Sequence, residues 1–132
     1  MGITPLWDND EHTIIRVVFE GRWTSDDFYA AFEPMVNMVE REAHPVVIIL
    51  DYRESRNPPK DFLLFEGHAP ENAPSNQALL IVLGANALIQ SLFNLLRRII
   101  PRVAPDFIMV GTLEEAYERA YASLSQAQSA NR

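Results

Sequence analysis

Apolar residues in this chain form three short uninterrupted runs, and three other segments carry apolar residues at helical spacing. The runs span residues 46–51, 78–83 and 107–110. They are rich in branched side chains and too short for helices, so each predicts a strand that is buried on both faces of a sheet. Such strands are typical of parallel sheets covered by helices.

An earlier pair of apolar runs predicts a hairpin at the start of the chain. Residues 3–7 and 13–19 are rich in strand-forming side chains, and the Asp/Asn-rich segment 8–11 between them is typical of a turn. We therefore expect an α/β fold: a hairpin, then alternating helices and strands in a mixed, mostly parallel sheet. No linker interrupts this order, so residues 1–132 are interpreted as a single domain.

Two helices are predicted from their start signals and their spacing. Each begins with a threonine followed three residues later by an acidic residue, which is the pattern of a capping box. The first helix is predicted over residues 24–42 and the last over residues 112–124. The polar segment 125–132 is then expected to be a frayed tail.

A third predicted helix, over residues 86–100, carries more apolar surface than one sheet can cover. Its apolar side chains span an arc of about 160°, whereas a stripe facing a sheet needs about 100°. One face is formed by residues spaced four, three and four apart: Leu88, Leu92, Leu95 and Ile99. The surplus consists of Ile89, Phe93 and Ile100. Either another helix of the same domain or another molecule must cover that surplus.

A second apolar feature lies in the proline-containing segment 52–77, which otherwise predicts a loop. Four consecutive large apolar residues in this segment would be exposed to solvent unless they pack against another surface: Phe62, Leu63, Leu64 and Phe65. Together with the surplus of the third helix they form the predicted interaction surface, and self-association into a homodimer is its simplest use. The alternative is a small-molecule or lipid-type binding protein, with residues 61–65 as a lid over an apolar pocket at the carboxyl ends of the strands.

Composition and charge narrow the classes of function. With 132 residues, 48% of them apolar, the chain is large enough to form a hydrophobic core that is stable without disulfide bonds. It has no cysteine, which excludes disulfides, thiolate metal sites and a cysteine nucleophile and agrees with a reducing compartment. A net charge of -7 opposes binding to nucleic acid. No stretch has the length of a membrane span or the pattern of a secretion signal, so a cytoplasmic protein is expected.

The order of elements and three local segments resemble the STAS domain, the fold of bacterial anti-sigma factor antagonists and of the cytoplasmic tail of sulfate transporters. Residues 19–24 (FEGRWT) resemble the family's strand and turn before its first helix. Residues 46–51 (VVIILD) resemble its central strand, and residues 111–116 (GTLEEA) resemble its last turn. The resemblance implies a STAS-like fold and a regulatory protein partner.

The chain departs from the family where its switch would lie. STAS antagonists carry Asp-Ser-Ser/Thr-Gly at the start of the helix after the central strand, and a partner kinase phosphorylates the serine. Residues 52–61 here read YRESRNPPKD. Ser55 lacks the glycine and the helix N-terminus that would hold a phosphate. The phosphorylation switch is therefore not implied for this chain.

Asp51 is the strongest single candidate for a site, because open α/β sheets bind their ligands at the carboxyl ends of strands. With Glu54 and Ser55 it forms the predicted ligand or switch region, and an enzyme using Asp51 and Glu54 is a third option. The structural interpretation is that Asp51 caps the following loop through bonds to its own backbone. The additional carboxylates and the lysine of a phospho-acceptor site are missing.

The sequence contains few other residues that could form a metal site, a catalytic site or an anion site. The three histidines, His12, His44 and His68, do not pair at three- or four-residue spacing, so no metal site is predicted. No nucleophile elbow or phosphate-binding glycine loop occurs, so we expect neither a catalytic residue nor a cofactor. A basic spot at the end of the third helix could receive an acidic partner or could simply complement the helix dipole: Arg97, Arg98 and Arg102.

Overall fold

The structure, a computed structural model, describes residues 2–56, 74–99 and 107–130. Within these ranges, five strands form one sheet in chain order and three helices cover it. The strands are β1 (Gly2–Trp7), β2 (Ile14–Gly21), β3 (Val46–Ser55), β4 (Gln77–Leu83) and β5 (Phe107–Val110). The helices are α1 (Ser25–Glu40), α2 (Ala87–Ile99) and α3 (Leu113–Ala130).

The sheet is mixed. β1 pairs antiparallel with β2, and β2, β3, β4 and β5 are parallel to one another. The predicted hairpin and the predicted parallel strands are thus confirmed. Among the described residues, no helix combines the length and the apolarity needed to cross a membrane.

Two helices share one face of the sheet and the third covers the other. Met35 of α1 and Phe93 of α2 belong to the same core cluster, which is expected when right-handed crossovers join strands in consecutive order. On the opposite face, Ala116 and Ala120 of α3 are fully buried against the sheet. These small residues let the helix lie close to the strands.

The uninterrupted apolar run of β3 follows from its central position. Ile48 and Leu50 point into the core beneath α1 and α2, whereas Val47 and Ile49 point into the core beneath α3. Both sets lie between helix and sheet, so polar residues have no place in this part of the strand.

Local capping signals predicted the helix starts correctly. The Thr24 hydroxyl accepts a hydrogen bond from the Asp27 amide at 3.0 Å, and the Asp27 carboxylate accepts one from the Thr24 amide at 2.9 Å. At α3, the Thr112 hydroxyl accepts from the Glu115 amide at 3.1 Å. α3 extends past its predicted end at residue 124 and continues to Ala130, through residues with no proline or glycine to stop it.

β3 is longer than the sequence pattern indicated. It was predicted to end at Asp51, but it continues to Ser55 because β2 extends beside it. Val18 pairs with Asp51 and Glu20 with Glu54, so β3 carries one extra residue between these pairs, a β-bulge. The predicted ligand or switch region therefore lies on β3 itself. Asp51 is an interior residue of this strand and not its last residue.

Candidate functional site

Helix α2 is rotated differently from the orientation that its spacing suggested. Ile89 and Phe93 are only 3% and 5% exposed and pack on the sheet. The Phe93 ring lies 5.8 Å from the rings of both Tyr52 and Phe107, measured between centroids. Because the chain's own core covers these two side chains, assigning them to an interaction surface was wrong. Leu88, which was expected on the sheet-facing side, is 47% exposed.

α2 leaves one leucine exposed next to two that are partly buried, of which Leu92 packs against the core cluster. Leu88 is exposed, and Leu92 and Leu95 are partly buried beside it. We call these three residues the leucine row. The other residues predicted for the interaction surface lie outside the described residues: Ile100, Phe62, Leu63, Leu64 and Phe65.

The Asp51 carboxylate lies on the α3 side of the sheet and is 3% exposed. Its Oδ1 accepts hydrogen bonds from the Arg53 amide at 3.1 Å and from Arg53 Nε at 2.9 Å. Its Oδ2 accepts from Arg53 Nη2 at 2.8 Å and from Arg16 Nη1 at 3.1 Å. The bond to the Arg53 amide agrees with the predicted backbone role of Asp51. The two arginine side chains were not predicted as its partners.

These residues belong to a larger network that reaches α3. Arg16 Nε donates to Asp8 Oδ2 at 3.2 Å, and the Tyr117 hydroxyl donates to the same oxygen at 2.5 Å. We call the five residues Asp8, Arg16, Asp51, Arg53 and Tyr117 the polar network. Two carboxylates alternate with two guanidinium groups, so the charges of the network cancel within it.

The network sets the protonation of its members. Burial opposes ionisation of Asp51, but the hydrogen bonds from Arg53 and Arg16 outweigh it and the pKa of Asp51 is lowered. Burial, with the hydrogen bond to Asp8, raises the pKa of Tyr117 to about 12. Asp51 is therefore a carboxylate and Tyr117 a neutral phenol near neutral pH. One signal in the sequence could have identified Arg16, namely a lone charge inside an apolar strand.

Glu54 and Ser55 do not join Asp51 in one site. Glu54 is exposed. The Ser55 hydroxyl accepts a hydrogen bond from Trp23 Nε1 at 2.8 Å and donates one to the Arg56 carbonyl oxygen at 2.7 Å. Ser55 thus ties the end of β3 to the turn before α1.

On the opposite face of the sheet from Asp51, aromatic side chains around Tyr52 form a cluster. The Tyr52 ring stacks on Phe19 at 4.2 Å between centroids, and Trp23 meets the edge of Phe19 at 5.3 Å. The Tyr52 hydroxyl is buried and has no hydrogen-bond partner among the described residues. Burial raises the pKa of Tyr52, so this hydroxyl stays protonated. Tyr52 was not among the predicted site residues.

Among the described residues, no group of three histidine or acidic side chains lies close enough together to hold a metal ion. His12 Nδ1 lies 2.9 Å from Glu42 Oε1, and His44 Nε2 lies 3.4 Å from Glu42 Oε2. His68 lies outside the described residues. Glu42 therefore joins the turn after β1 to the turn before β3.

The basic spot at the end of α2 has a packing role. The guanidinium carbon of Arg97 lies 4.4 Å above the centre of the Phe107 ring, and Arg97 Nη2 donates to the Phe107 carbonyl oxygen at 3.4 Å. Arg98 is exposed, and Arg102 lies outside the described residues. Arg97 thus joins α2 to β5. Its guanidinium group cannot offer all of its N–H groups to an anion while these contacts are made.

Comparisons with protein-family models, with curated proteins and with solved structures find no match to this chain. The resemblance to STAS domains therefore rests on residues 19–24, 46–51 and 111–116 and on the order of the elements. The α/β architecture itself, with its five-stranded mixed sheet, rests on the structure.

Proposed function

We propose that this chain is a non-enzymatic protein-interaction module of STAS-like fold that associates with a second copy of itself. The observation that carries the proposal is the leucine row on α2, with Leu88 47% exposed. The order of elements, a hairpin followed by alternating helices and strands, supports the STAS-like part of the proposal.

The spacing of the leucine row suits a second helix. Its residues follow one another at intervals of four and three, the spacing by which paired helices interlock. A two-fold axis brings the same row of both copies together, so one stripe is complementary to itself. Covering the exposed part of each Leu88 contributes about 1 kcal/mol per copy, and the neighbouring leucines add to it.

The state of Asp51 supports a role without catalysis. Four hydrogen bonds from Arg53 and Arg16 occupy its two oxygens, and its pKa is lowered. A general base needs a pKa near the working pH and a free lone pair directed at the substrate. Asp51 has neither property, and Glu54 is exposed at the end of the same strand.

The test is the mass of the protein in solution, measured by light scattering and sedimentation over a range of concentrations. We expect a dimer for the wild type and a monomer for Leu88→Asp, with the dissociation constant raised at least about tenfold. Leu88 is the second residue of α2, where the helix dipole favours an aspartate, so the variant should fold. Gln90→Asp is the matched control, since it adds the same charge at an exposed position of the same helix.

A monomeric wild type, or a dimer that Leu88→Asp leaves intact, would contradict self-association through α2. Phe93→Asp would not be informative, because the buried Phe93 is part of the core and its loss would unfold the protein. Far-UV circular dichroism and the melting temperature of each variant confirm that a change of mass is not a change of fold.

A second candidate function is small-molecule or lipid-type binding near the carboxyl ends of the strands. The specific observation in its favour is the unpartnered Tyr52 hydroxyl within the aromatic cluster. Buried polar groups normally have a partner, and a ligand could supply one. A fatty acid or isoprenoid that raises the melting temperature of the wild type, but not of Tyr52→Phe, would favour this candidate over self-association.

A further inference from the structure

A cavity lies beside the amino ends of β2 and β3, one turn of α3 beyond Tyr117 of the polar network. It has a volume of about 450 Å³, within the range of small-molecule sites. Thr13 precedes β2 and Pro45 precedes β3, so the cavity opens beside the amino ends of these strands. Its other wall is the second half of α3, including Leu124 and Ser125.

The apolar part of this cavity has an aromatic face. Pro45 and Leu124 line it together with Tyr121. Tyr121 is 50% exposed. Since Ala116 and Ala120 bring the first half of α3 onto the sheet, the Tyr121 ring stands at the cavity and not in the core. A large aromatic side chain left half exposed beside a cavity is able to bind a cation or a flat apolar group.

The charge of the lining favours a cation over an anion. Glu11 lines the cavity, and no lysine or arginine is found among the described residues of the lining. His44, which also lines it, already pairs with Glu42 at 3.4 Å and lies with Nδ1 3.1 Å from the Pro45 carbonyl oxygen. The chain as a whole carries a net charge of -7. An anionic ligand would therefore meet a repulsive field, whereas an ammonium group would be attracted to Glu11.

We propose that this cavity binds a small amphipathic amine. The ammonium group lies beside Glu11 and against the Tyr121 ring, and the apolar part of the ligand contacts Pro45 and Leu124. The Thr13 and Ser125 hydroxyls provide hydrogen bonds to polar substituents. The cavity and the leucine row are formed by different residues, so this proposal does not depend on self-association.

The test uses three probes of similar size that differ in charge: 2-phenylethylamine, 2-phenylethanol and phenylacetate. Titration of the ¹⁵N-labelled full chain should show the amine binding best and shifting amide signals around Thr13, His44 and Tyr121. Glu11→Gln should weaken binding of the amine about three- to tenfold and leave the alcohol unchanged. Tyr121→Leu, which keeps apolar area without the aromatic face, should weaken the amine about two- to fivefold.

Glu118→Gln is the matched control, because it removes one exposed acidic charge from α3 outside the cavity lining. Equal affinity for the amine and the alcohol, tighter binding of phenylacetate, or signal shifts confined to other parts of the chain would overturn the proposal. So would the lack of any shift at about 10 mM amine, since even millimolar affinity would be visible there.

Discussion

Two tyrosine hydroxyls show how different the surroundings of one functional group can be within this fold. The Tyr117 hydroxyl donates to Asp8 Oδ2, whereas the Tyr52 hydroxyl is buried among aromatic rings and finds no partner within residues 2–56, 74–99 and 107–130. A buried hydroxyl that loses its hydrogen bonds to water destabilises the folded state by about 1–3 kcal/mol unless a new partner compensates. The two residues should therefore respond oppositely when the hydroxyl is removed.

We expect Tyr52→Phe to stabilise the ligand-free protein by about 1 kcal/mol and Tyr117→Phe to destabilise it by about 1–2 kcal/mol. The free energies of unfolding, measured with urea, compare the two variants directly, since each loses the same oxygen atom. If Tyr52→Phe destabilised the protein as much as Tyr117→Phe, the Tyr52 hydroxyl would have a partner, such as a buried water or a copurified ligand.

At the scale of elements, the turn between β4 and α2 is shaped by the side chain of Arg53. Gly84 in this turn has φ +71°, a conformation that residues with a side chain rarely adopt. A Cβ atom at Gly84 would lie 2.6 Å from Arg53 Cγ. The glycine therefore provides both the turn and the space in which Arg53 reaches Asp51.

Gly84→Ala should destabilise the protein by about 2–4 kcal/mol, from backbone strain together with the displacement of Arg53. Gly21→Ala is the matched control: φ is +59° there, but a Cβ would meet nothing within 4 Å, so backbone strain alone costs about 1 kcal/mol. Chemical denaturation of both variants, in the wild-type and Arg53→Ala backgrounds, measures the difference. Equal losses for the two glycines would show that the contact with Arg53 has no energetic role.

At the scale of the whole molecule, the polar network joins elements from both ends of the chain. Asp8 follows β1, Arg16 lies on β2, Asp51 and Arg53 lie on β3, and Tyr117 lies on α3. The pKa of Asp51 is lowered in the folded state, so the carboxylate contributes stability above its unfolded pKa. This contribution is lost as the pH falls through the folded pKa, below the ordinary value of 3.8.

We therefore expect Asp51→Asn to destabilise the protein at pH 7 by about 2 kcal/mol, because the charge-assisted hydrogen bonds to both arginines are weakened. The difference from the wild type should shrink as the pH falls below 3.8, since the wild-type carboxylate is then increasingly protonated. Unfolding free energies between pH 7 and pH 2.5 check this, with Asp10→Asn in the exposed first turn as control. A difference that stays constant with pH would contradict the role of the Asp51 charge.

Features with a local cause were predictable from the sequence. Thr24 with Asp27 and Thr112 with Glu115 announce helix starts because a cap involves residues three positions apart. The apolar runs at residues 46–51 and 78–83 predict buried strands because β3 and β4 lie inside the sheet and face a core on both sides, and the third run forms the edge strand β5. The hairpin, the parallel strands and thus the α/β class followed from these signals.

Features that depend on partners far along the chain were decided by tertiary structure. Arg16 and Asp51 are 35 residues apart, and Asp8 and Tyr117 are 109 apart, so no local pattern pairs them. The extension of β3 to Ser55 likewise depends on the neighbouring strand β2.

The sequence by itself determined which residues of α2 are apolar and how they are spaced around the helix. Only the tertiary structure decided which part of that arc faces the sheet, turning Phe93 inward and leaving Leu88 outside. The physical reason is that helical periodicity fixes the angles between side chains but not the rotation of the helix about its axis. The packing of Phe93 between Tyr52 and Phe107 selects that rotation. These two rings belong to β3 and β5, which are distant from α2 in the sequence or follow it.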